Sequence, residues 1–162
     1  MKEIKLKIVK IEEPSNILDS LISYSTSYHK SGNLLYSLDF KSSIFTGVFE
    51  SPDIFSCLCE LRKSLEKIGW YILCNGSRIN VCATGMARQM GGGFKIYLLT
   101  IGEPMHRKNL VYIFDEVGLE EVGTVDQQLD FLQKWIKFSQ LKQQIRDGIA
   151  RDNEEVEERD NP

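Results

Sequence analysis

The stretch 76–99, G-S-R-I-N-V-C-A-T-G-M-A-R-Q-M-G-G-G-F-K-I-Y-L-L, constrains the fold more than any other part of the chain. An alternating apolar run (78–83) enters it and a second (94–99) leaves it. Between them, Gly85, Gly91, Gly92 and Gly93 place four of the twelve glycines within nine residues. Glycine costs backbone entropy on folding, so a cluster marks backbone that needs positive φ or close approach. The pattern predicts two strands joined by a long glycine-rich hairpin loop.

Elsewhere the hydrophobic periodicity sets the elements. Residues 4–11 alternate apolar and basic, which predicts a half-exposed strand ended by Pro14. Ile17, Leu18, Leu21 and Ile22 predict a short helix within 16–28. Gly32-Asn33 is a turn signal, and 34–40 and 44–50 read as a hairpin across 41–43. Ser51 as N-cap, Pro52 and Asp53 open a helix carrying Ile54, Phe55, Leu58, Leu61, Leu65 and Ile68, with Gly69 as its stop. An apolar strand follows at 70–74, then an Asn75-Gly76 hairpin turn, and a further strand at 111–114. Thr124 and Gln127 match a capping box. The helix they open puts Leu129, Leu132, Trp135, Ile136 and Leu141 on one face. Adjacent strands with short connections predict a single α+β domain over 1–146, a mixed or mostly antiparallel sheet with two or three helices packed on it. Residues 147–162 read as a charged, disordered tail.

Residues 141–162 hold four basic and seven acidic side chains, which accounts for the whole formal charge of −3 and leaves the body neutral. A neutral body offers no field for non-specific nucleic-acid binding or for an anionic membrane surface. The apolar runs are strand-sized, too short to cross a membrane, and the N-terminus lacks a secretory apolar region, so a cytoplasmic location is expected. Cys57 and Cys59 fall two apart on the expected helix, and Cys74 and Cys82 lie in apolar runs. They are expected to be free thiols, with no metal site and no cofactor.

Few residues suggest chemistry. Backbone amides of Gly91, Gly92 and Gly93, with Arg78 and Arg88, are what an anion cradle needs. The loop nonetheless lacks both the Walker pattern and the dinucleotide fingerprint. Its glycines have a plainer use in loop geometry, and its arginines in salt bridges that tie the loop to the sheet. His29 and His106 have no catalytic partner placed by a motif. Lys2, Lys5, Lys7 and Lys10 suit a strand edge that must resist pairing with another chain.

The 76–99 block, with L-V-Y-I-F-D at 110–115 and V-G-T-V-D-Q-Q at 122–128 followed by Trp135, resembles a family of small bacterial proteins. Its members carry a G-S-R-x-N-V…G-M-x-R-x-M-G-x-G core, and some sit among immunity proteins of polymorphic toxin and contact-dependent inhibition systems. The resemblance spans about residues 70–138. It implies a cytosolic, non-enzymatic protein that binds and neutralises one cognate toxin domain, with no catalytic residues to carry over. For a basic nuclease toxin, Asp115, Glu116, Glu120 and Glu121 would be the expected contacts, together with Met86, Arg88, Gln89 and Met90 of the glycine loop. The alternative is a small ligand-binding domain or enzyme in which the 84–93 loop, Arg78 and Arg88 hold an anion.

Overall fold

The computed structural model describes residues 2–160, and side chains as far as Val156. Long strands come first: β1 (Glu3–Lys10), β2 (Glu13–Tyr28), β3 (Leu34–Ser42) and β4 (Thr46–Ser51). With β5 (Trp70–Ile72) they form an antiparallel sheet in the order β4-β3-β2-β1-β5. A smaller antiparallel sheet holds β6 (Val81–Cys82), β7 (Lys95–Leu98) and β8 (Leu110–Tyr112) in that order. Helices α1 (Ile54–Lys67), α2 (Gly85–Gly91) and α3 (Val125–Asp160) complete an α+β domain.

The core lies between the large sheet and α1. Period-two alternation turns Leu6, Ile8, Ile22, Leu38 and Phe40 inward, and helical spacing turns Ile54, Leu58, Leu61 and Leu65 onto them. Ile96, Ile113 and Phe114 extend the same core under the small sheet. On the other face of β1, Val9 packs with Leu73 and Val122.

Several sequence expectations change here. Residues 16–28 are strand, not helix: β2 is paired with β1 on one side and β3 on the other. Pro14 does not end a strand. It falls where the register slips between Val9 pairing Ile17 and Lys10 pairing Glu13, a place where a missing amide does no harm. The α1 cap is Asp53, two residues after the expected Ser51, and it accepts from Ser56 N at 2.8 Å. The Asn75-Gly76 pair makes a 3₁₀ turn, Asn75–Ser77, instead of a hairpin turn with positive φ. β1 is paired on both sides over Ile8–Lys10, so its lysines do not guard a free edge there. Lys7 meets Glu116 at 3.3 Å.

The capping box forms as the sequence requires. Gln127 N donates to Thr124 Oγ1 at 3.0 Å and Thr124 N to Gln127 Oε1 at 2.9 Å. The helix it opens differs from the expected amphipathic cylinder. Leu129, Ile136 and Leu141 are exposed, and Gln128 is the buried residue of α3 among its described side chains. In place of an unstructured tail from Asp147, α3 continues through Asp160, while residues 161 and 162 lie outside the described residues.

Candidate functional site

The glycine-rich segment folds as a short helix rather than a hairpin loop. Thr84 caps it, its hydroxyl oxygen accepting from Ala87 N at 3.1 Å, and Gly92 ends it in the left-handed conformation at φ 64°. A Cβ at Gly92 would collide with the Tyr36 hydroxyl. Gly92 N and Gly93 N both donate to Ala87 O, and Gly92 O accepts the first amide of α1, from Ile54, at 2.8 Å. The amides that an anion cradle would require are therefore engaged in ending α2, and its carbonyl in starting α1.

The two arginines are also engaged. Arg88 Nε donates to Ala83 O at 3.1 Å and Nη1 to Ser56 Oγ at 3.3 Å; its guanidinium lies 5.1 Å over the Phe55 ring and 3.9 Å from Asp53. Arg78 is ion-paired with Glu121 and donates to Asn75 Oδ1 at 2.9 Å. Both arginines hold segments of the fold together, the plainer of the two uses read from the sequence.

What α2 turns outward is different. Met86 and Met90 are 71% and 84% exposed, and Gln89 is exposed beside them. Beneath and beside the helix lies a set of partly buried rings. Tyr24 and Phe94 have centroids 4.8 Å apart, Tyr36 and Phe94 6.0 Å, and Phe94 and Tyr112 stack at 6.4 Å. Burial and the neighbouring Tyr24 push the Tyr112 phenol up to about 12, so it remains a neutral donor at physiological pH. The surface thus offers adaptable thioethers on a pinned helix next to rigid aromatic rings, a composition suited to protein contact.

The eight expected contact residues do not form one patch by their supports. Met86, Arg88, Gln89 and Met90 ride on α2 against the start of α1. Asp115, Glu116 and Glu120 are exposed on the segment after β8, and Glu121 is half-buried against Arg78. Asp115 O accepts from Asn75 N at 2.9 Å, which fastens that segment to the 3₁₀ turn. His29 bonds Ser31 in the exposed β2–β3 turn, and His106 is exposed before the 3₁₀ turn Arg107–Asn109. Among the described residues no three His, Cys, Asp or Glu side chains are grouped to hold a metal. Burial raises the Cys57 thiol to about 11 and raises Cys59, Cys74 and Cys82 as well.

One residue of consequence was not singled out from the sequence. Arg62 is 2% exposed, yet its guanidinium donates to Gly76 O, Gln128 Oε1 and Gly123 O. It stands one turn after Leu58 and beside Leu61 and Leu65, so helical spacing alone places it on the buried face.

No protein-family model matches the chain, and no curated protein matches it. Among the described residues no helix is long and apolar enough to cross a membrane.

Proposed function

We propose that this chain is a cytosolic protein-binding module that neutralises a cognate toxin domain, with the outer face of α2 as its contact surface. The observation that carries the reading is the exposure of Met86 and Met90 on a helix whose backbone and Arg88 are fixed to α1. A fixed mount lowers the ordering cost of association, and the methionines adapt to an apolar partner surface. The partly buried aromatic rings of Tyr36 and Phe94 extend the apolar area next to α2. The internal engagement of Arg78, Arg88 and the Gly92 and Gly93 amides favours this reading over an anion-binding one.

The test is co-expression with the proposed partner, a toxic domain sought in the adjoining upstream reading frame. Growth rescue with a one-to-one complex on co-purification is the expected result. Toxicity without rescue, or rescue that survives charged substitutions at both Met86 and Met90, would overturn it.

A further inference from the structure

The far half of α3 runs along the surface of the domain, with Lys142 Nζ donating to Gly102 O at 2.9 Å. Every described residue from 140 to 156 is exposed, and Leu141, Ile145, Ile149 and Val156 are large apolar side chains in that stretch. With Phe138 they fall at spacings of three, four, four and seven, which keeps them on one side of the helix. A helix is ordinarily held by burial of such a stripe rather than by propensity.

The charge along α3 is divided. Residues 132–146 carry Lys134, Lys137, Lys142 and Arg146 and no acid; residues 147–156 carry Asp147, Asp152, Glu154 and Glu155 against Arg151. A second copy of this helix running antiparallel would set each basic half against an acidic half, whereas a parallel copy would set like against like. Four of the five apolar residues follow the same symmetry, and Leu141 falls opposite Asn153. With the two-fold axis at Asp147, Phe138 faces Val156 of the other copy, Ile145 faces Ile149, and Lys142 faces Asp152. A groove of about 570 Å³, lined by Ile101, Phe138 and Leu141 with Lys134 and Lys137, lies where the acidic, apolar end of the second helix would rest. Gly148 has open space around its Cα at the crossing.

From this self-complementarity we infer that α3 is a homodimerisation arm, its occupant a second copy of the same chain in antiparallel alignment. The inference is independent of the α2 surface and stands or falls without it.

Sedimentation velocity on the full chain, from about 1 to 200 µM, tests it. Concentration-dependent dimer that weakens in high salt is expected. The Ile145→Asp/Ile149→Asp variant should be monomeric at every concentration while its thermal unfolding matches the parent. A charge-reversed pair provides the orientation-sensitive check. Chains carrying Lys134→Glu, Lys137→Glu and Lys142→Glu, and chains carrying Asp152→Lys, Glu154→Lys and Glu155→Lys, should each stay monomeric alone and pair when mixed. A parent chain that is monomeric at about 200 µM, or a dimer unaffected by Ile145→Asp/Ile149→Asp, overturns the inference.

Discussion

Arg62 and Gln128, 66 positions apart, converge on one carbonyl. Arg62 Nη1 donates to Gly76 O at 2.9 Å, Gln128 Nε2 donates to the same oxygen at 3.0 Å, and Nη1 also donates to Gln128 Oε1 at 3.0 Å. Arg62 Nη2 takes Gly123 O at 3.0 Å, and Gln128 Nε2 takes Arg78 O. The two side chains therefore join α1, the 3₁₀ turn and the start of α3 through buried polar atoms. Arg62→Met leaves Gly123 O and Gln128 Oε1 without these donors, and an unmet buried acceptor costs about 1–3 kcal/mol. Urea unfolding should show a loss of about 3 kcal/mol for Arg62→Met and a smaller loss for Gln128→Met. The double variant should lose less than the sum, because the two share their bonds.

Two glycines are fixed by close approach of a neighbouring side chain, one of them by positive φ as well, and substitution separates them. A Cβ at Gly76 would run into Leu58 and come within 2.7 Å of Ile113, both core side chains. Gly76→Ala is overpacking, and a loss of about 1–3 kcal/mol is expected. Gly92→Ala combines positive φ with a clash on Tyr36, so it should lower stability and loosen α2. Gly91→Ala, one residue earlier, meets nothing within 4 Å and should be neutral or slightly stabilising. Thermal unfolding of the three variants checks the order.

The sequence is most legible where one periodicity acts alone. The β1 alternation, the 34–50 hairpin, the α1 stripe from Ile54 to Leu65 and the Thr124 capping box all follow from local rules, while Ile68, expected to close that stripe, lies past the helix end and is exposed. β2 does not, because Ile17 and Leu21 point to the outer face while Leu18 and Ile22 point inward, and the four together imitate a helical spacing. Ser20 completes the disguise: it is buried at an inward position, its hydroxyl donating to Leu6 O at 2.8 Å. At α2 the number of glycines outweighed a legible pair of signals, Thr84 as N-cap and Gly92 as the left-handed end. The α3 docking was hidden for a different reason: its anchors are largely polar, the Gln128 amide and the Trp135 indole that donates to Thr100 O and Glu103 O, while Leu132 and Trp135 of the expected apolar face are half-buried. For the candidate surface, the residue types at 86–90 were readable, but the internal engagement of Arg78 and Arg88 depends on contacts across the chain that no spacing reveals.

Glu66 gives the fold a pH dependence of known sign. Its carboxylate accepts from Val125 N at 2.9 Å, yet burial outweighs that bond and raises its pKa above the ordinary value of 4.5. The folded state then holds this proton more tightly than the unfolded chain does. The stability contributed by the group is complete below pH 4.5 and is lost as pH rises through the folded pKa. Glu66→Gln keeps an oxygen for Val125 N and removes the charge. The difference in unfolding free energy between Glu66→Gln and the parent should move in favour of the variant between about pH 4 and pH 7, since the other carboxylates cancel in the comparison. Urea melts at both values measure it; a difference that is flat or moves toward the parent would contradict the assignment.

Met86 and Met90 make the sharpest separation between binding and folding. Both are exposed, so Met86→Asp/Met90→Asp removes little buried area, and the melting temperature should stay within about 2 °C of the parent. Arg88→Ala behaves in the opposite way: it loses bonds to Ala83 O and Ser56 Oγ and the stacking on Phe55, and a destabilisation of about 1–2 kcal/mol is expected. A partner seated on α2 should therefore be lost through the methionine variant with the fold intact, by tenfold or more in Kd, about 1.4 kcal/mol. Arg88→Ala should weaken the same partner only to the extent that α2 loosens, and cooling should restore it. Titration calorimetry of both variants against the proposed partner domain, beside their melting curves, distinguishes a contact made by the thioethers from one made by the mount beneath them. An unchanged Kd for the methionine variant would move the contact surface off α2.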